Sequence, residues 1–340
     1  MARNGESLPE PTPEHLYAQA GLGPLPNEAN GRELYIDMVK RAVANILYED
    51  RAVWSIDERN ERVLENGFNL EHRVFGRDLP TEAHTMVGIR RLENLQRSVE
   101  TVLREGVPGD LVETGVLRGG AAIFLRAVLK AHGVTDRRVI ACDTFVKRKP
   151  VSRGLSSRAV RKSLALLASI PSRRWQRRLF FALQNTPGIQ SSFPRVSDPS
   201  DEMVRWVMFT CRNLSLMHNS LDRTSLAAVR SHFARYGLLD DQVIFLQGLF
   251  SDTLPRAPID RIAVLRLDGD TYESTRDVLE AAYPRLSTGG YCIVDDYYAF
   301  PDCRRAVDEY RSAQGIGDAL TVIDQCAVCW RRQPPGGMGD

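Results

Sequence analysis

The chain reads as an α/β protein: a mostly parallel sheet with helices on both faces. Two observations predict this. From Leu111 onward, short strand-like runs alternate with segments of helical periodicity, the pattern of a parallel sheet covered on both sides. In addition, the stretches VLRLDGDTYEST at 264–275 and IVDD at 293–296 are apolar runs that end abruptly in carboxylates. Buried parallel strands have that apolar character, and ligands of open α/β sheets bind outside the carboxyl ends of the strands.

The elements follow in order. Residues 34–48 carry apolar side chains at Leu34, Met38, Val39, Ala42, Val43, Ile46 and Leu47, a helical spacing. Residues 84–103 repeat it through Met86, Ile89, Leu92, Leu95, Val99 and Val102, so two helices precede the first clear strand. A short strand at 111–114 leads through a glycine-rich turn into a helix at 121–129. Strands are expected at 138–143, 242–247, 262–267 and 291–294, with a helix at 225–236 that ends at Gly237. Residues 320–323 and 327–330 suit a closing hairpin.

Two regions stand outside this alternation. Residues 1–30, rich in Pro, Gly, Asn and Glu, read as a flexible leader before a single domain at 31–340. Residues 147–220 read as a basic helical insertion. No Asp or Glu lies between Asp143 and Asp198, while Lys147, Arg148, Lys149, Arg153, Lys162, Arg173, Arg174, Arg177 and Arg178 do, interleaved with Leu164, Leu167, Trp175, Phe180 and Leu183. Such a segment suits a lid, a dimer arm, or contact with a membrane surface through 147–197; equally, its apolar side can pack on the domain.

Composition narrows the function classes. The chain has 340 residues, 43% hydrophobic and 26% charged, which suits a globular protein, and a net charge of +2, which predicts no nucleic-acid partner. No apolar run is long enough to span a bilayer, and the polar N-terminus has no signal-peptide core, so a cytoplasmic location is expected. Of the six cysteines, Cys142 and Cys292 fall in strand-like runs, and Cys326 and Cys329 have CxxC spacing without a second pair, which favours buried packing over zinc.

Asp268, Asp270, Asp295 and Asp296 should meet at one rim of the sheet. Like charges this close raise one another's pKa, and a hard divalent cation is the simplest compensation. The alternative is that they cap the following helices. The turn at 115–120 is not GxGxxG, so a dinucleotide site is disfavoured, and Asp143 at the next strand end suits ribose hydroxyls.

These residues, with others, resemble the macrocin O-methyltransferase family of sugar O-methyltransferases. The segments that carry the resemblance are ELYIDMVK (33–40), LPTEAHTMVG (79–88), LENL (92–95), VETGVLRGG (112–120), ACDTF (141–145), FARYGL (233–238), GLFSDTLP (248–255), LRLDGDTYES (265–274) and GGYCIVDDY (289–297). The resemblance implies a Rossmann-like class I methyltransferase fold with a mostly parallel seven-stranded sheet, S-adenosyl-L-methionine as methyl donor, and Mg²⁺. By position it places Asp268, Asp295 and Asp296 on the metal and Asp270 as general base. Glu113 and Gly115 would lie near the methionine end of the cofactor and Asp143 at its ribose, with Thr114 and Asp268 also among the cofactor-binding residues. Thr85 and Met86 would form part of its wall, with Ser251 and Asp252 toward the adenine.

The implied partner is a small-molecule glycoside or glycolipid, and the apolar faces of the first helix and the insertion suit a homo-oligomer. Leu117 and Leu79 stand where many relatives carry Trp. Two other readings remain: a catechol or other vicinal-diol acceptor, and a non-catalytic module that docks through the insertion. His72 and His84 lie in segments that could cover the site, although packed histidines are the commoner outcome.

Overall fold

The computed structural model of the chain describes residues 12–19, 22–25, 28–57, 61–145, 158–185, 198–213 and 222–334. Strands β1 (Ala52–Ile56), β2 (Arg62–Leu64) and β3 (Asp78–Pro80) form a small antiparallel sheet in the order β2-β1-β3. The main sheet holds β4 (Asp110–Thr114), β5 (Val139–Asp143), β6 (Val243–Gln247), β7 (Ile262–Leu267), β8 (Leu286–Val294), β9 (Thr321–Val322) and β10 (Val328–Arg331). Its order is β6-β5-β4-β7-β8-β10-β9. The strands from β6 to β8 are parallel, and β10 runs antiparallel to both neighbours. This is the seven-stranded, mostly parallel α/β fold that the sequence predicts.

The chain winds outward from β4 through β5 to β6, then returns to the other side of β4 as β7. The order reverses between β4 and β7, and a ligand crevice opens at such a point beyond the strand ends. Successive residues of β4 and β5 face opposite layers. Leu111, Val139 and Ala141 join one core with Leu92, Phe124, Val128 and Phe233, while Val112, Ile140 and Cys142 join the other with Leu279, Val307 and Trp330.

The described helices of the basic insertion pack against this second layer. They are Arg158–Ala168, Arg173–Asn185 and Asp201–Arg212. Leu164, Phe180, Leu183, Met203 and Val207 are buried in the second core. The third helix starts where Ser200 accepts a hydrogen bond from the Met203 amide at 3.1 Å, with Asp201 and Glu202 in its positive first turn. Leu166 and Trp175 stay exposed beside Arg174 and Arg178. No helix among the described residues is long and apolar enough to cross a membrane.

Several local outcomes differ from the pattern reading. The small sheet β1–β3 lies between the two N-terminal helices, where periodicity shows no strand, because its strands are three to five residues long. Within the stretch read as a leader, Pro13–Gln19 is helical, and Leu22 is buried and accepts a hydrogen bond from Arg41. Residues 1–11 lie outside the described residues. The helix expected from residue 84 starts at Gly88, since the amides of His84 and Thr85 donate instead to the Val43 carbonyl at 2.9 and 3.1 Å. Strand β8 begins at Leu286, through a Gly289-Gly290 pair that looks like a turn in sequence but lets the backbone approach Ala263. All six cysteines are buried and free, Cys326 and Cys329 included.

If the insertion belongs to the core, Phe180→Ala should cost about 3–5 kcal/mol. A shift in the urea midpoint reads this out; an unchanged midpoint would show that the insertion does not share the domain's cooperative fold.

Candidate active site

The ends of β4, β5, β7 and β8 surround a cavity of about 250 Å³, closed on its other side by the small sheet. Close backbone packing brings the strand ends together. The Gly115 amide donates to the Cys142 carbonyl, and the Asp295 amide donates to the Leu267 carbonyl, both at 2.9 Å. Gly115 has φ +80°, and a Cβ there would stand 1.7 Å from the Asp268 carbonyl oxygen, so only glycine fits. Gly120 is similarly required, because a Cβ would meet the His84 carbonyl group at 2.6 Å.

Carboxylate oxygens of Asp268, Asp270 and Asp296 lie within 4.8 Å of one another. None of the four rim aspartates is a helix cap. Thr271 caps the helix Tyr272–Ala282, and Phe300 precedes Pro301–Ala313 without a side-chain cap. The capping alternative therefore fails. Asp270 sits at φ +59°, a conformation uncommon for a residue with a Cβ, and its amide donates to Asp296 at 3.3 Å. Burial pushes Asp268 up to about 7, with Asp295 and Asp270 adding to the shift and Arg266 opposing it. Burial and the charges of Asp268, Asp270 and Asp295 push Asp296 well above the usual carboxylate range.

Asp295 lies beside the cluster but is paired differently. One oxygen meets Arg91 at 2.5 Å and the other Arg266 at 2.7 Å. Burial acts to raise its pKa, but the two guanidinium groups outweigh burial and hold it below the ordinary value. Arg266, buried within β7, also binds Glu113 at 2.9 Å and Asp268 at 2.8 Å. Arg91 reaches Asp324 at 2.8 Å. The pattern reading missed Arg266, Arg91 and Asp324. The available signal was a lone Arg inside the otherwise apolar β7 run.

The expected cofactor residues divide into two groups. Glu113, Gly115, Asp143, Thr85, Met86 and Asp268 line the cavity, as do Leu79 and Leu117. Burial pushes Glu113 up to about 8 against the pull of Arg266, and its Oε2 has no hydrogen-bond partner among the described residues. Asp143 accepts from the amides of Val116 at 2.8 Å and Leu117 at 3.3 Å, so it shapes the turn after β4. Thr114 is buried in β4 and its hydroxyl donates to the Arg266 carbonyl at 3.3 Å. Ser251 and Asp252 are exposed on the helix Phe250–Thr253 and are not among the lining residues. His84 lines the cavity, with Nδ1 3.0 Å from the Tyr236 hydroxyl, whereas His72 lies away from it beside Glu65. Cys326 reaches the cavity wall, but no group of metal-competent side chains among the described residues includes a cysteine.

The model of the Macrocin-O-methyltransferase (TylF) family matches residues 32–164 and 201–332. The chain belongs to this family. It is 43% identical over 305 residues to the mycinamicin III 3''-O-methyltransferase of Micromonospora griseorubida, covering 89% of this chain and 98% of that protein. It is also 43% identical over 302 residues to a Streptomyces olivaceus tetracenomycin-C rhamnosyl 4'-O-methyltransferase, covering 89% and 94%. Among solved structures it is similar to the O-methyltransferase NovP, with a TM-score of 0.65 and 39% identity over 89% of this chain and all of that one. The chain is thus an O-methyltransferase, and residues 165–200 lie outside the family match.

Two outcomes follow from the site's electrostatics. Arg266→Ala leaves Glu113, Asp268 and Asp295 without their shared cation, and chemical denaturation should show a loss of about 3–5 kcal/mol; a loss under 1 kcal/mol would mean that the pairing is not structural. The second outcome concerns pH. Burial, with His232 and Arg118 nearby, lowers His84 from 6.5 to about 3. The unfolded chain therefore takes up a proton below pH 6.5 that the folded chain refuses until about pH 3. Stability should fall as pH drops through that window, by an amount on the order of 2–4 kcal/mol. His84→Gln should flatten the fall, and an unchanged slope would remove His84 as its source.

Proposed function

We propose that the chain transfers the methyl group of S-adenosylmethionine to a sugar hydroxyl of a glycosylated natural product or glycolipid, with Mg²⁺ at the rim aspartates. The observation that carries this is the convergence of Asp268, Asp270 and Asp296 at one end of the cavity, beside Asp295. The donor set is entirely carboxylate oxygen, which suits a hard cation such as Mg²⁺. The fit is also electrostatic. Among the described residues, Arg266 pairs with Glu113, Asp268 and Asp295, and Arg91 with Asp295 and Asp324, so two guanidinium groups serve four carboxylates there.

Asp268 and Asp296 are the ligands supported by both the family resemblance and the observed cluster. Asp295 is the third; a cation at the cluster would compete for it with Arg91 and Arg266. Bound there, Mg²⁺ lowers the pKa of a sugar hydroxyl and orients its oxygen. Asp270, whose carboxylate belongs to the cluster and whose backbone is left-handed, accepts the hydroxyl proton. Glu113 lines the cavity, and its Oε2, which has no hydrogen-bond partner among the described residues, suits the ammonium of the donor's methionine end. Gly115 and Asp143 give the turn its shape, and Thr85 and Met86 close the donor's wall. These groups remove the acceptor's motional freedom before reaction, so positioning contributes much of the rate.

The name of one relative, the tetracenomycin-C rhamnosyl 4'-O-methyltransferase, points to rhamnosides as starting acceptors. With one that turns over, Asp270→Asn should lower kcat by about 10²–10⁴-fold while S-adenosylhomocysteine binds as before. Full turnover by that variant would remove Asp270 as the base, and turnover insensitive to EDTA would remove the metal.

A further inference from the structure

Part of the cavity is a recess walled by the small sheet and the helix Asp201–Arg212. Trp54 and Ile56 of β1, Arg62 of β2, Trp206 and Thr210 of that helix, and Phe300 line it. The Trp206 and Phe300 rings meet edge to face at 6.3 Å. The Arg62 guanidinium lies 5.5 Å from the Trp54 ring centre and 5.7 Å from that of Phe300. Its Nη1 donates to Glu202 at 3.0 Å, so the side chain is held in place from the far side.

Two polar atoms here are buried without a hydrogen-bond partner among the described residues: Arg62 Nε and the Thr210 hydroxyl. Buried donors left unpaired are costly, and lining a cavity, they are placed for a ligand to satisfy. The surrounding walls are ring faces and edges, which favour a flat π-system over a flexible chain. A guanidinium already stacked on two rings extends that surface.

We propose that this recess is the subsite for the aglycone, and that it takes a planar aromatic aglycone bearing a carbonyl, phenolic or carboxylate oxygen. Arg62 Nε–H and the Thr210 hydroxyl hydrogen-bond that oxygen while Trp206 packs on the ring system. Arg62, Thr210 and Trp206 are thus specificity residues and take no part in methyl transfer. The inference rests on the glycoside reading above and adds the chemistry of the group to which the sugar is attached.

The test compares three α-L-rhamnosides that share the sugar: 4-methylumbelliferyl, flat with a lactone carbonyl; n-octyl, apolar without ring or carbonyl; and methyl. Their dissociation constants are measured on the full chain with saturating S-adenosylhomocysteine and Mg²⁺. The umbelliferyl glycoside should bind at least about tenfold more tightly than either of the others. Arg62→Lys, which keeps the charge but loses the Nε–H, and Thr210→Val should each erase most of that preference. Both should leave octyl rhamnoside and S-adenosylhomocysteine binding unchanged, and Trp206→Phe should retain more of it than Trp206→Ala. In turnover, the Arg62 and Thr210 variants should raise KM for the umbelliferyl glycoside with kcat nearly constant. Equal binding of the octyl and umbelliferyl glycosides, binding of none of the three, or a preference that survives Arg62→Lys and Thr210→Val would overturn the assignment. Failure of S-adenosylhomocysteine to bind folded wild-type chain would instead overturn the methyltransferase reading beneath it.

Discussion

Arg266, next to last in β7, extends into a space that holds Glu113, Asp268 and Asp295, and it binds all three within 3 Å. Arg91 approaches the same Asp295 from the helix Gly88–Arg104 and continues to Asp324 before β10. These two guanidinium groups let four strand ends carry carboxylates toward one point. Burying one such carboxylate alone would cost several kcal/mol, and its usual remedy is protonation. Here the remedy is partial. Asp295 is held ionised, while Glu113, Asp268 and Asp296 are pushed upward. The proposed cation would offset the remaining imbalance.

Backbone geometry is subordinate to this network yet equally exacting. Gly115 allows β4 to lie against the Asp268 carbonyl, so the turn after β4 and the carboxylate cluster belong to one packed unit. Asp143 binds the amides of that turn. Chain reversal between β4 and β7 opens the crevice in which both face the same cavity. The small sheet then covers the crevice and supplies the aromatic end, where Trp54 and Arg62 meet the helix Asp201–Arg212.

Much of this was legible in the sequence, and the limits have physical causes. Strands that end in Asp pairs announce both a buried parallel sheet and the rim where ligands gather, so β7, β8 and the cluster of Asp268, Asp270 and Asp296 were readable. The partner of each carboxylate was not. Arg91 and Asp324 lie 233 residues apart, and a helical Arg looks like any solvated charge until the fold buries it. Arg266 left a trace, as a charge inside an apolar run. The strands β1–β3 are too short for a period of two to emerge. The insertion carried equal signals for a packed face and a free one; burial of Phe180, Leu183 and Met203 shows that its described helices pack one face on the domain.

The central claim is that the buried guanidinium groups leave the rim aspartates short of positive charge, and that a divalent cation supplies it. Calorimetric titration of Mg²⁺ into the full chain, saturated with S-adenosylhomocysteine, addresses this without knowledge of the acceptor. The account predicts one saturable site per chain, lost in Asp268→Asn and in Asp296→Asn while S-adenosylhomocysteine still binds. Folded protein that binds S-adenosylhomocysteine but shows no saturable uptake of Mg²⁺ would contradict it.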